Sequence, residues 1–151
     1  MKKSEDFKEF IELLNKNKCR YLIVGGYALS FHSRPKYTED IDFWIDPQTE
    51  NAKRIIKVLK EFGFEQLDIT TADLTHPDRV IQLGHPPLRI DLLTSVDGLD
   101  FETAYKNKVK VNYFGIETAI ISRNDLILNK KSSGRKKDLS DLDWIEQYSK
   151  K

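Results

Sequence analysis

The 151-residue chain holds one cysteine, Cys19, and three histidines. A lone thiol closes no internal disulfide and builds no cysteine-based metal cluster, and Cys19 is expected as a small buried apolar residue. His32, His76 and His85 stand beside Ser, Pro and Pro, with no spacing that would assemble a zinc site. Long apolar runs are missing too. The longest, Tyr21 to Leu29, contains two glycines and falls well short of the ~20 residues of a spanning helix. The start, MKKSEDF, is polar and no signal-type apolar segment follows, so a cytoplasmic protein without a membrane partner is expected. An excess of one charge is also absent, with 25 basic against 24 acidic residues, so no global field draws the chain to DNA or to an anionic membrane. Internal repeats and Pro/Ser/Gly-rich linkers are lacking, and residues 1–151 are expected to form a single domain.

What is present is globular in composition, 39% hydrophobic, 11% aromatic and 32% charged. Phe7, Phe10, Ile11 and Leu14 recur at the spacing of an amphipathic helix, with Ser4 as its expected N-cap. Tyr21 to Val24 reads as a strand buried on both faces and stopped by Gly25-Gly26, from which a short helix runs through Phe31 towards Pro35. Asp40 to Asp46 alternates, placing Ile41, Phe43 and Ile45 on one face and Asp40, Asp42 and Trp44 on the other. Thr49 is the expected cap of a helix with Ile55, Ile56, Leu59 and Phe62 inward and Gly63 at its end. Arg79–Leu83 with Leu88–Thr94, and Val109–Asn112 with Ile116–Ile120, read as two strand pairs. Ser122 is placed to cap a helix through Lys130, and a last helix after Gly134 is expected to turn Leu139, Leu142, Ile145 and Tyr148 inward. The class is α+β: a mixed sheet flanked by helices, with helices at the C-terminus.

The chemistry concentrates in three places. Asp40 and Asp42 project from one strand face roughly 7 Å apart, and Asp91 interrupts the apolar strand Ile90-Asp-Leu-Leu93, which implies a positive neighbour. Three carboxylates on adjacent strands make the all-oxygen site that Mg²⁺ prefers. Asp91 is equally placed to pair with Arg89 on its own strand face. The D-x-D-x-W pattern lacks the fifth-position ligand and sixth-position glycine of a calcium loop. Gly25-Gly26 at a helix start offers bare N–H groups to a phosphate, or forms a simple tight turn. It matches neither a dinucleotide fingerprint nor a P-loop. Between Lys130 and Lys137 five basic residues form either a triphosphate counter-charge or a solvated loop. Trp44 shares the acids' face, where it either stacks a base or packs on a neighbouring helix.

The stretch VGGYALSFHSRPKYTEDIDFWI resembles the core signature of polymerase-β-superfamily nucleotidyltransferases, two glycines followed by Asp-x-Asp. Within that superfamily it is similar to the small bacterial abortive-infection-toxin-type and minimal antibiotic-type enzymes, whose intervening histidine, arginine and threonine match His32, Arg34 and Thr38. Their C-terminal lysine and basic-acidic helix start match Lys130, Arg135, Lys137, Asp138 and Asp141. The resemblance implies two Mg²⁺ ions, replaceable by Mn²⁺, on Asp40, Asp42 and Asp91, with Asp91 also activating an acceptor hydroxyl. It implies nucleotide contacts from Gly25, Gly26, Arg34, Lys130 and Lys137. The implied activity moves a nucleoside monophosphate from a nucleoside triphosphate to a hydroxyl of a small molecule, tRNA or protein. The extended C-terminal domain of larger members is missing, so a homodimer or cognate partner protein is an expected source of further surface. The alternative is a non-catalytic nucleotide- or partner-binding module of the same fold, such as a toxin–antitoxin component. A glycosyltransferase using Asp-x-Asp on a nucleotide sugar fits less well, since it needs a longer nucleotide-binding domain.

Overall fold

The computed structural model describes residues 2–33, 35, 38–64, 67–85, 88–113 and 115–148. Among these residues seven helices and six strands follow one another as α1 (Lys2–Lys16), β1 (Tyr21–Val24), α2 (Gly25–His32), β2 (Asp40–Ile45), α3 (Thr49–Phe62), α4 (Thr71–Thr75), β3 (Val80–His85), β4 (Leu88–Leu93), α5 (Phe101–Lys106), β5 (Val109–Tyr113), β6 (Ile116–Ile120), α6 (Arg123–Ser133) and α7 (Lys136–Tyr148). The strands form one mixed sheet in the order β3-β4-β2-β1-β6-β5. β1 lies between β2, antiparallel to it, and β6, parallel to it. All four β1 residues are buried, as its continuous apolar run requires.

The alternation of β2 divides the molecule into two faces. Ile41, Phe43 and Ile45 join the packing of α1 and α3, with the Phe43 ring 5.3 Å from Phe10 and 5.7 Å from Tyr21. The apolar stripe of α1, Phe7, Phe10, Ile11 and Leu14, is fully buried there. Buried Asn51 on α3 fastens this layer. Its amide donates to the carbonyls of Arg20 and Asp46 and accepts from the Arg20 N–H, joining the start of β1 to the end of β2.

The opposite face carries Asp40, Asp42 and Trp44. β4 runs parallel to β2 with Asp42 opposite Asp91 and Trp44 opposite Leu93, so Arg89, Asp91 and Leu93 share that face. Trp44 is buried and packs edge-to-face on Phe101 of α5 at 5.1 Å, which decides for packing on a neighbouring helix over base stacking. α6 and α7 pack together above the same side, and α2 touches both.

Several local expectations are corrected. α1 begins at Lys2, two residues before Ser4. Thr49 is the first residue of α3 rather than its cap; Gln48 holds the cap position without a side-chain bond. Ser122 caps α6 by accepting from Asp125 N–H, as expected. Leu139 is 48% exposed instead of inward. Among the described side chains the inward stripe of α7 is Asp138, Leu142 and Ile145, together with Asp141, because a buried lysine draws the two carboxylates in; the Tyr148 side chain, also expected inward, lies outside them. The helices α4 and α5 arise where no element was expected. They are closed by a Thr70–Asp73 capping box and by the Asp100 side chain.

Candidate active site

The parallel register of β2 and β4 brings the three acids together. Carboxylate oxygens of Asp40, Asp42 and Asp91 lie within 4.8 Å of one another. Burial, followed by the charges of Asp91 and Asp40, pushes the Asp42 carboxyl up to about 7, against a smaller pull from Arg89. Asp91 is also raised, chiefly by burial, while Arg89 opposes the shift. The Arg89 Nε stands 3.4 Å from Asp91 Oδ1, a long contact that, among the described residues, leaves three carboxylates with one peripheral cation. An all-oxygen donor set short of positive charge fits a hard divalent ion such as Mg²⁺ or Mn²⁺.

The glycine pair borders this cluster. Val24 lies beside Asp42 in the β1–β2 ladder, and Gly25 follows with φ +70°, a conformation that costs glycine nothing. A methyl group at Gly25 would overlap the Asp42 carboxylate. At Gly26 it would come 3.0 Å from Thr38 Oγ1, whose hydroxyl donates to the Asp40 carbonyl. Both glycines open α2, and Val24 at its N-cap supplies no side-chain acceptor, so the first N–H groups face the acids' end of the sheet uncapped by a side chain. Gly25→Ala is therefore expected to displace Asp42 and weaken Mg²⁺–triphosphate binding at least tenfold, read by titration calorimetry, since an off-axis carboxylate loses its ligand geometry. Unchanged affinity would detach the glycine turn from the site.

A cavity of about 210 Å³ extends from Gly25 and Asp42 past Leu93 and Ser95 to Asn129, Lys130 and Arg135. Lys130 does not present a free charge to it. Its Nζ lies 3.1 Å from both Asp138 Oδ1 and Asp141 Oδ2, and all three residues are buried. Burial would raise the Asp138 carboxyl, but hydrogen bonds from Ser133, Arg135 and Lys130 outweigh it and hold the group at about 2. Arg135, whose side chain is 78% exposed, donates from Nε to Asp138 at 2.8 Å and keeps the rest of its guanidinium at the cavity edge. Lys137 is exposed on α7 and lies outside the described lining of this cavity. Arg34 lies outside the described residues.

His32 sits at the end of α2 with Nε2 2.7 Å from the Ile121 carbonyl. A carbonyl only accepts, so Nε2 carries the proton, and burial lowers the pKa and favours the neutral ring. This histidine ties α2 to the strand leading into α6. Sequence reasoning missed Ser95, Asp97 and Asn129. Asn129 Nδ2 donates to the Asp97 carbonyl at 3.0 Å, and Gly98 rests against Ser132, which pins the loop after β4 onto α6. The Asp97-Gly98 pair is a turn signal in the sequence, but nothing local says that it closes over the acids.

Residues 4–148 match the family described as nucleotidyltransferase of unknown function (DUF6036). No curated protein matches the chain. Among solved structures, the lincosamide antibiotic adenylyltransferase LnuA with bound lincomycin is similar at 14% identity and TM-score 0.56, covering 94% of this chain and 95% of that one. A Thermotoga maritima protein, TM1012, assigned as a nucleotidyltransferase, aligns at 16% identity and TM-score 0.59 over 93% of this chain and 91% of its own. An antigenic nucleotidyltransferase-like protein of Paracoccidioides brasiliensis aligns at 17% identity and TM-score 0.54, over 93% and 73%. At these identities the likeness concerns the fold.

Proposed function

The chain belongs to this nucleotidyltransferase family, and from that premise we propose that it transfers a nucleoside monophosphate from a nucleoside triphosphate to a hydroxyl group. The observation that carries the proposal is the convergence of Asp40, Asp42 and Asp91 within 4.8 Å beside an uncapped, glycine-opened helix start. Asp40, Asp42 and Asp91 are the residues that would hold Mg²⁺, in our reading two ions with Mn²⁺ as a substitute, supplying charge neutralisation at the triphosphate and acidification of the acceptor hydroxyl. The N–H groups of Gly25 and Gly26 hold the terminal phosphates, and Arg135 faces them from the opposite wall. The acceptor oxygen forms a bond to the α-phosphorus as the bond to the bridging oxygen of the β-phosphate breaks. Asp91 receives the acceptor proton and pyrophosphate leaves. We further read residues 1–151 as one catalytic unit working in the cytoplasm; no helix among the described residues is long and apolar enough to cross a membrane.

Calorimetric titration of each of the four ribonucleoside triphosphates, with and without Mg²⁺, into wild type and Asp40→Asn/Asp42→Asn tests the site without knowledge of the acceptor. Mg²⁺-dependent binding that disappears in the double variant is the expected result and names the donor base. Binding in both proteins alike would remove the acids from the site. Tight binding by the wild type with no labelled product on any acceptor would favour the non-catalytic module.

A further inference from the structure

The acid triad has two sides. Asp42 borders the cleft cavity, which runs from the glycine turn past Leu93 towards α6. Away from the cleft, the triad meets open strand surface. β3 pairs antiparallel with β4 and forms that edge of the sheet, with Gln82 opposite Asp91 and Gly84 opposite Arg89. Paired residues of a ladder project to one face, so Gln82 stands one strand beyond Asp91 on the acids' face. Gln82 and Gly84 are both exposed. Arg89 lies opposite Asp40 across the β2–β4 pairing, and roughly 13 Å along β4 from Leu93 at the cleft.

The Arg89 guanidinium is held at one point. Its Nε makes the 3.4 Å contact with Asp91 and its side chain is 33% exposed. Its two Nη groups have no hydrogen-bond partner among the described residues. Arg20, Arg54 and Arg79 each commit an Nη group to a protein acceptor. Arg135 shares the pattern of Arg89, bonding Asp138 through Nε. These two arginines flank the triad, Arg135 at the cleft and Arg89 beside the edge strand. Paired Nη donors are the fork that grips a phosphate or a carboxylate.

The direction of the reaction decides what meets that fork. In phosphoryl transfer the attacking and leaving oxygens stand roughly in line through phosphorus. With the leaving pyrophosphate at Gly25, Gly26 and Arg135, the acceptor arrives from the far side, over Asp91, where Arg89 and Gln82 lie. Resting on the nucleotidyltransferase reading above, we propose that Arg89 and Gln82 form the acceptor platform, and that the acceptor is an anionic alcohol, with a phosphate or carboxylate beside the hydroxyl that reacts. The Nη fork takes the anion, the Gln82 amide takes a neighbouring oxygen, and the reacting hydroxyl lies at Asp91. The transfer is the balanced displacement already described: the alcohol oxygen gains the nucleotidyl group, its proton passes to Asp91, and pyrophosphate departs. A neutral alcohol leaves the fork unfilled, so charge makes the selection.

The backbone N–H of Gly84 reports on this platform and survives each substitution. In ¹H–¹⁵N spectra of the full chain, Mg²⁺ is present with a nucleoside triphosphate whose α,β-bridging oxygen is replaced by methylene, which binds without transfer. Glycerol 3-phosphate, glycerate and glycerol are then titrated in turn. The expected result is a saturable Gly84 shift with at least one anion, about tenfold tighter than with glycerol, the gain of a charge-assisted contact. The phosphate and carboxylate arms tell which anion the fork prefers. Arg89→Gln brings the anions down to the level of glycerol while still binding the triphosphate analogue, and Gln82→Glu weakens the anions more than glycerol. With a cleavable labelled triphosphate, label goes to the anionic alcohol ahead of glycerol, and Arg89→Gln loses that preference. If Arg89 served only to neutralise the acids, its loss would move all three alcohols together and leave their order unchanged. Equal affinity for glycerol and both anions, an anion preference that outlasts Arg89→Gln, or no shift up to about 100 mM, where even millimolar affinity saturates, overturns the proposal. Such a failure with the analogue bound leaves the nucleotidyltransferase reading standing, whereas an analogue that does not bind overturns both.

Discussion

Asp42→Asn is expected to be more stable than the wild-type chain at pH 8 without metal, and to be inactive. The Asp42 carboxyl stands at about 7 in the fold against 3.8 for the free group, raised first by burial and then by the charges of Asp91 and Asp40. A folded-state pKa above the unfolded one means that the native protein binds the extra proton between about pH 4 and pH 7. Stability in metal-free buffer therefore falls as pH rises through this window and stays low above it. The amide carries no charge and repels neither neighbour, so the variant loses this slope. It also loses a hard ligand, so Mg²⁺ at pH 8 stabilises the wild type by mass action and leaves the variant unmoved. Transfer drops on the order of 10³-fold, the scale of several kcal/mol of lost charge stabilisation. Thermal unfolding from pH 4 to pH 8, with and without Mg²⁺, checks each part. A variant less stable at pH 8 than wild type, or one that still gains from Mg²⁺, contradicts the assignment.

Lys130→Met is expected to destabilise the fold by about 3–5 kcal/mol, because it removes the ammonium that neutralises two buried carboxylates. Lys130 reaches from α6 to Asp138 and Asp141 on α7, 3.1 Å to each. Asp138 retains Ser133 and Arg135 after the loss, whereas Asp141 loses its contact with the lysine ammonium. Adding Asp141→Leu to Lys130→Met should restore part of the stability, since the second change removes a buried carboxylate that has lost the lysine ammonium. Urea denaturation of the two single variants and the double variant measures the coupling. Were Lys130→Met to weaken nucleotide binding with a stability change under about 1 kcal/mol, the residue would be a phosphate contact and not the tie between two helices.

The contrast between these two sites marks what a sequence discloses. Asp40 and Asp42 were legible because a strand's twofold period fixes their common face without reference to anything else. Asp91 followed from the oddity of a charge inside Ile90-Asp-Leu-Leu93. The glycine turn was legible through the missing side chains. Lys130 was visible as a basic residue, but its charge was assigned to phosphate because partners eight and eleven residues away cannot be inferred from composition alone. The same pairing exposes Leu139: the acids occupy the inward positions that periodicity gave to leucine. The helices α4 and α5, five and six residues long, were missed because they are too short to show a repeating stripe. Their caps, Thr70 with Asp73 and Asp100, were the only local signals. Ser95, Asp97 and Asn129 join the cleft through a loop closure between distant segments, which no window of sequence contains.

The facing of Asp42 and Asp91 is set by backbone hydrogen bonds between β2 and β4, with Ile41 opposite Ile90 and Phe43 opposite Leu92 as apolar anchors on the other side of the sheet. The scaffold thus has no stake in the reactivity of the groups it displays. Under the proposed function, replacing one carboxylate oxygen by an amide nitrogen is expected to leave the strand pairing, the glycine turn and the adjoining cavity in place while ending turnover. On that proposal, a lineage carrying this frame stands one substitution from a catalytically silent receptor for the same ligands. The reverse step is as short, because the frame that would hold the ions is already folded.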